Sequence, residues 1–214
     1  APQPDALARF ARDRGATVER VRRGDLDRAS HGVRHQGAIA WVPALRVRAL
    51  EELELPAPAL MVVLDSIEDP QNFGAVVRSS VAFGASAIVW AQHGAAPLTP
   101  ATFRASAGAI EHAQLASVPS LVAALGALRD RGLRILGLDA GGDRPIDAEN
   151  LADPVALVLG AEGAGLHKSV RRACDAIARL PMGGPIASLN VSAAAAIALY
   201  EATRQRAKKS VPIS

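Results

Sequence analysis

Three stretches of this chain set polar side chains beside glycine-rich backbone in a way that can hold and orient a ligand. In Asp69-Pro-Gln-Asn-Phe-Gly-Ala-Val-Val-Arg78 the amide of Asn72 stands at an expected helix start, and the guanidinium of Arg78 projects from the second turn of that helix. In Gly160-Ala-Glu-Gly-Ala-Gly165 one carboxylate, Glu162, sits within a glycine turn. In Leu180-Pro-Met-Gly-Gly-Pro-Ile-Ala-Ser-Leu-Asn-Val-Ser192 a strand end, a tight Gly183-Gly184-Pro185 turn and a helix opening at Ser188 or Asn190 gather freed backbone N–H groups with two polar side chains. Together these supply backbone donors and acceptors, amides, one acid and one arginine. Such groups align a substrate and stabilise charge, and no further acid, base or nucleophile set is visible at the strand ends.

Taken singly, each stretch has an ordinary structural reading. Asn72 reads as an N-cap, Arg78 as a surface ion-pair partner, and the glycine cluster as a tight turn. The glycine loop also fails two familiar nucleotide patterns. Gly163 and Gly165 begin a G-x-G, but position 168 is Lys, and no G-K-[ST] is present. A Rossmann-type methyltransferase is expected to carry its glycine turn after the first strand, where this chain has Asp69-Pro-Gln-Asn72. The histidines, His31, His35, His93, His112 and His167, are scattered, and the single cysteine, Cys174, excludes a multi-cysteine zinc site, so no metal is expected.

The elements that must position these loops follow from hydrophobic patterning. Leu60–Leu64 and Val155–Leu159 are continuous apolar runs, as in strands buried on both faces. Further strands are expected over 86–90, 133–138 and 176–180, with helices over 72–83, 121–129 and 166–173 between them. The alternation predicts an α/β fold with a mostly parallel sheet covered by helices on both faces, and the polar loops fall at strand C-termini, where ligands bind in such sheets. A final helix follows the third stretch. It is apolar almost all round from Val191 to Tyr200, which places it inside the fold or at a subunit interface. Its basic end, Arg204 to Lys209, is favourable helix termination.

The first 55 residues read as an incomplete unit: an amphipathic helix over Asp5–Gly15, a brief strand over Val18–Val21, a capped turn over Gly24–Ser30, and a strand over Ala38–Val42. Residues 43–58, with an acidic helical turn and two prolines, read as the linker. The division is therefore 1–55 and 56–214. Half of the 214 residues are hydrophobic and the net charge is +3, with Lys168, Lys208 and Lys209 the only lysines. A positive balance carried by arginine suits phosphate recognition. With no long apolar run and no basic-then-apolar leader, a cytoplasmic protein that does not span a membrane is expected.

In this order the three stretches closely resemble the motifs of the SPOUT superfamily, TrmH family, of RNA 2′-O-ribose methyltransferases, over residues 60 to 206. Gly32-Val-Arg-His-Gln-Gly37, Ala105-Ser-Ala-Gly-Ala-Ile-Glu-His112 and Tyr200-Glu-Ala-Thr-Arg-Gln-Arg206 look most like the RlmB-type branch, which methylates a 23S rRNA guanosine. The resemblance implies a C-terminal deep trefoil knot and a partial N-terminal L30e-like RNA-binding segment. It implies S-adenosylmethionine as cofactor, held by Gly160, Gly163, Leu180, Met182, Gly183 and Leu189. It also implies Asn72, Arg78, Glu162, Ser188 and Asn190 as the catalytic set, RNA as partner (rRNA, with tRNA the runner-up), and a homodimer. Family proposals make Arg78 the base. A guanidinium holds its proton at any ordinary pH, so holding phosphate or stabilising alkoxide charge is the better physical role. Two rival readings from other classes are a catalytically inactive RNA-binding module and a small-molecule enzyme on a similar sheet.

Overall fold

The fully apolar strands can be stable only with hydrogen-bonded neighbours on both edges and side chains packed on both faces. The computed structural model describes residues 4–32, 35–95, 98–185 and 188–209, in two compact units, Ala1–Leu45 and Arg46–Ser214. In the second unit, β2 (Leu60–Leu64) lies against β7 (Val155–Leu159) in parallel register, Leu60 opposite Val155 through Leu64 opposite Leu159, and every residue of both strands is buried. Each such Val, Leu or Met contributes about 1.5–3 kcal/mol of burial. The remaining strands extend a parallel sheet on either side. β3 (Ala87–Ala91), β4 (Leu115–Val118) and β1 (Val47–Arg48) lie beyond β2; β5 (Arg134–Leu138), β8 (Ala176–Arg179) and β6 (Arg144–Pro145) lie beyond β7. The chain winds outward from β2 through β3 to β4, then reappears at β5 and returns to fill the gap with β7. That reversal opens a crevice at the strand C-termini.

Helices α3 (Pro70–Ala82), α4 (Pro100–Ser106), α5 (Leu121–Asp130), α6 (Lys168–Ala173) and α7 (Val191–Lys209) complete this unit. The start of α3 differs from the expectation that Asn72 begins it. Asp69 is the cap: its carboxylate accepts from the N–H of Gln71 at 3.1 Å and of Asn72 at 3.3 Å, and Pro70 fills the first helical position. Arg78 consequently lies in the third turn. Helix α7 begins at Val191, directly after Asn190, whose side-chain oxygen accepts from the Ser192 N–H at 2.8 Å. One side of α7 is buried, through Ala195, Ala198, Leu199 and Ala202, whereas Ile197 and Tyr200 are exposed. Its basic end is more than a favourable terminus: Arg206 donates to the carbonyls of Leu151, Ala59 and Asp153, fastening the helix beneath β2 and β7.

Residues 46–55 belong with the sheet. Val47 and Arg48 pair with β4, and Leu50 and Leu53 are buried in the core, so the expected linker over 43–58 holds structure for much of its length. Helix α4 and strand β4 are not among the expected elements, because Leu115-Ala-Ser-Val118 has weak β propensity and gains its place from β3 on one edge and β1 on the other. In the first unit, α1 (Pro4–Asp13) and α2 (Arg23–Ala29) form, but the expected strands at 18–21 and 38–42 do not. No described segment of that unit pairs with them, and an unpaired strand has no ladder to stabilise it. Part of the Gly32–Gly37 motif, residues 33 and 34, lies outside the described residues, as do residues 186 and 187 of the third stretch.

Candidate functional site

The C-terminal ends of β5, β7 and β8 open onto a cavity of about 470 Å³. Its walls come from three loops, at Leu138–Ala140, Leu159–Gly165 and Arg179–Met182, together with Ser188, Leu189 and the first turn of α7. The size lies within the range for small-molecule and cofactor sites, roughly 300–1,000 Å³. The glycine loop doubles back sharply on itself: the Gly165 N–H donates to the Ala161 carbonyl at 2.9 Å, and a Cβ on Gly160 would collide with the backbone of Gly165 and Leu166. A side chain at 160 would therefore force the loop open. Its glycine lets the backbone itself form the wall.

At the mouth, the three stretches meet. The Asn190 Nδ2 donates to Asn72 Oδ1 at 2.9 Å and to Glu162 Oε2 at 3.2 Å, and Asn72 Nδ2 makes a longer bond of 3.5 Å to the same carboxylate oxygen. The two asparagines can do this because Asn72 does not spend its Oδ1 on capping its own helix and Asn190 caps its helix with oxygen alone, leaving Nδ2 free to donate. Asp69 caps α3 in place of Asn72, and Asn190 caps α7 with Oδ1, which accepts from Ser192 N and Oγ. The other oxygen of Glu162 has no hydrogen-bond partner among the described residues. Ser188 lines the cavity without a hydrogen bond to a described residue.

Of the residues expected to hold a cofactor, Gly160, Gly163, Leu180, Met182 and Leu189 line the cavity; Gly183 is exposed and does not. Arg78 is exposed on α3, and no ion pair or hydrogen bond engages it among the described residues, so the surface ion-pair reading finds no partner.

Two features escaped the sequence. Asp139, at the end of β5, lines the cavity with its carboxylate 3.0 Å from the Arg171 guanidinium. Burial alone raises its pKa, but the Gly141 N–H at 2.9 Å and Arg171 outweigh this and hold the carboxyl below the ordinary value. The only available signal was its position after a strand C-terminus, which Asp139-Ala-Gly-Gly142 shares with any tight turn. The second feature is the buried Asp65, which follows β2. It accepts from the His167 backbone N–H at 2.7 Å and lies 2.9 Å from the same residue's Nδ1, fastening the loop after β2 to the end of the glycine loop. Because this latch stops the backbone at His167, α6 starts at Lys168, later than the expected residue 166.

Among the described residues no group of His, Cys, Asp or Glu is arranged to hold a metal ion, and no helix is long and apolar enough to cross a membrane. The geometry has close counterparts. An uncharacterized tRNA/rRNA methyltransferase of Mycobacterium ulcerans is 43% identical over 200 residues, covering 92% of this chain and 64% of that protein. The chain thus spans a little under two thirds of this relative's length. Among solved structures, the SpoU methyltransferase AviRb of Streptomyces viridochromogenes in complex with AdoMet superimposes with a TM-score of 0.72 and 31% identity, covering 77% of this chain and 67% of that one. An RNA 2′-O ribose methyltransferase gives 0.68 and 35%, covering 75% and 61%. A model of the SpoU rRNA methylase family matches residues 59–200, the span that contains β2, the cavity and the Asn72–Glu162–Asn190 cluster, and the chain belongs to that family.

Proposed function

We propose that the protein transfers a methyl group from S-adenosylmethionine to a ribose 2′-hydroxyl of structured RNA, with a guanosine of 23S rRNA as the preferred target. The observation that carries this reading is the convergence of Asn72, Glu162 and Asn190 at the mouth of a backbone-walled cavity, with the uncommitted guanidinium of Arg78 on the helix that carries Asn72. The cavity fits the methyl donor on chemical grounds. Backbone at Gly160, Gly163 and Leu180 can read the edge of an adenine, Leu180 and Leu189 present apolar surface to its face, and the Asp139 carboxylate can accept from hydroxyl groups. When bound, the donor supplies a methyl already activated on a sulfonium.

The work left to this chain is alignment and management of charge. Asn72, Glu162 and Asn190 fix the two loops and the start of α7 against one another, so that the cavity mouth keeps one shape. Arg78 holds the phosphate beside the target ribose and stabilises negative charge developing on the 2′ oxygen as its proton leaves to solvent. The leading alternative target is tRNA, in keeping with the tRNA/rRNA designation of the mycobacterial relative. In this reading residues 1–55 contribute RNA contacts, the molecule is a cytoplasmic homodimer, and the C-terminal part of the methyltransferase region is knotted.

The test is to incubate the protein with labelled S-adenosylmethionine and RNA from cells that lack it, then map the modified nucleotide. Label at a ribose 2′ oxygen of one rRNA position is expected. Label on a base, or none on any RNA, would overturn the reading.

A further inference from the structure

The turn after β5, Asp139-Ala-Gly-Gly-Asp143, is braced by its own sheet and by two arginines. The Asp139 N–H donates to the Ala178 carbonyl at 3.0 Å and the Asp143 N–H to that of Ile177 at 3.2 Å, which carries the β5–β8 pairing into the turn. A Cβ on Gly142 would stand 2.4 Å from the Ala178 carbonyl carbon, so the turn lies directly on β8. From α6, Arg171 donates to the Gly141 carbonyl at 3.1 Å, while its other terminal nitrogen stands 3.0 Å from Asp139 Oδ1. From β8, Arg179 donates to the carbonyls of Gly142 and Asp143 at 2.9 and 2.7 Å. The result is one carboxylate on a rigid mount, which is what precise recognition of a ligand requires.

That carboxylate faces the cavity. A Cβ on Gly165, itself part of the cavity wall, would stand 2.7 Å from Asp139 Oδ2. Oδ1 accepts from the Gly141 N–H at 2.9 Å and meets Arg171. Burial favours the neutral form, but the Gly141 N–H, Arg171 and the Leu166 N–H outweigh it and keep the acid ionised. The side chain is nonetheless 21% exposed, which leaves acceptor capacity for a ligand. Asp139 lies between Leu138 and Ala140, and the wall continues in Leu159, Leu180 and Leu189, so the acceptor borders apolar surface suited to the face of a base.

We infer that Asp139 reads the ribose of the methyl donor, accepting from its 2′- and 3′-hydroxyls, and so makes the cavity specific for a ribonucleoside. This rests on the donor reading above and adds to it a residue that the three loops do not contain. Of the polar parts of S-adenosylmethionine, the carboxylate is repelled by Asp139. The ammonium is better met by Glu162, whose hydrogen-bond partners among the described residues are two neutral amides. Asp139 has its charge balanced by Arg171, and an ion-paired carboxylate with acceptor capacity to spare suits neutral O–H donors. The diol also sits directly beside the base in such a ligand, as Asp139 sits directly beside Leu138 and Ala140 in the wall. Arg171, which touches the carboxylate and the Gly141 carbonyl at once, is the positioning residue for this acceptor.

The test is calorimetry of S-adenosylhomocysteine and of its 2′-deoxy and 3′-deoxy forms with the wild-type chain, Asp139→Asn and Asp139→Glu. The wild type is expected to bind at least one deoxy form about ten- to hundredfold more weakly than the parent, the loss of a hydrogen bond to a charged acceptor. In Asp139→Asn that ratio should shrink to a few-fold, with the parent weakened and the deoxy form nearly unaffected. A residue that merely shapes the loop would weaken all three ligands in parallel, so a ratio unchanged from wild type overturns the assignment. Equal wild-type affinity for all three ligands overturns it as well, whatever the variants do, and leaves the methyl-donor reading standing. Should Asp139→Asn prove unfolded by circular dichroism, Asp139→Glu decides, because the added methylene displaces the acceptor and must lower the same ratio. If the wild-type chain binds none of the three at millimolar concentration, the methyl-donor reading and this assignment fall together.

Discussion

Arg78 shows how much an uncommitted side chain can say. An arginine loses rotamer freedom whenever it is fixed, so one left exposed and unpaired keeps its donors available for a partner that arrives later. Arg78→Ala is expected to reduce methyl transfer by orders of magnitude with S-adenosylmethionine affinity nearly unchanged, as measured by single-turnover kinetics beside calorimetry. Arg78→Lys distinguishes the roles. A phosphate holder keeps part of its activity with a point charge but loses the bidentate fork, whereas a base would gain as pH rises toward the ordinary lysine value of about 10. Asp139 makes a different prediction. Its carboxyl sits below its ordinary value because Gly141 and Arg171 outweigh the cost of burial, so the folded value lies below the unfolded one. The resulting stability is present in full above the unfolded value of about 3.9 and is lost as pH falls through the lower folded value. Asp139→Asn should therefore be destabilised relative to wild type in urea titrations at neutral pH, and the gap should close in strong acid. A gap that persists unchanged there would mean the residue acts by shape alone.

Among the elements, α3 is the one on which the site depends most. Its cap, Asp69, sets where the helix begins and so places Asn72 and Arg78 about 1.7 turns apart on one rigid rod. Asp69→Ala should cost about 1 kcal/mol of stability in urea unfolding, and it should also lower methyl transfer, because fraying of the first turn loosens Asn72 from Asn190 and Glu162. Unchanged activity in a measurably destabilised variant would separate the cap from the site. The same helix marks how far the sequence could be read. The strands β2 and β7 were legible because an unbroken apolar run has few other uses, and the three loops because glycines and amides at strand ends are conspicuous. Their closure on one another was not legible by pattern: Asn190 and Asn72 are 118 positions apart and His167 and Asp65 are 102 apart, and such contacts follow from strand order, which periodicity does not fix. The motif resemblance supplied what the pattern could not. Asp139 escaped both, since its turn looks like any other, and α4 with β4 escaped because short alanine- and serine-rich segments take their conformation from the neighbours they pack on.

At the scale of the molecule, one surface of α7 remains to be explained. Val191, Ala195, Ala198, Leu199 and Ala202 face the core, yet Ala193, Ile197 and Tyr200, spaced four and three residues apart, form a second apolar stripe open to solvent, with Ile197 45% and Tyr200 57% exposed. The Phe83 ring at the end of α3 stands edge-on to Tyr200 at 6.2 Å and enlarges the stripe. An apolar face on a helix whose first turn lines the cavity is suited to a two-fold contact, in which the same patch meets its own copy and the partner steadies the start of α7. Sedimentation of the wild-type chain at micromolar concentration is expected to give a dimer. The double substitution Ile197→Glu with Tyr200→Glu, which sets like charges against each other across such an axis, should yield a folded monomer by circular dichroism and sedimentation. If the interface supports Asn190 and the cavity mouth, that monomer should also bind S-adenosylmethionine more weakly, although neither substituted residue lines the cavity. A wild-type monomer at high micromolar concentration would remove the two-fold contact and leave the stripe without a partner, and a monomeric variant with full donor affinity would show that the cavity is complete within a single chain.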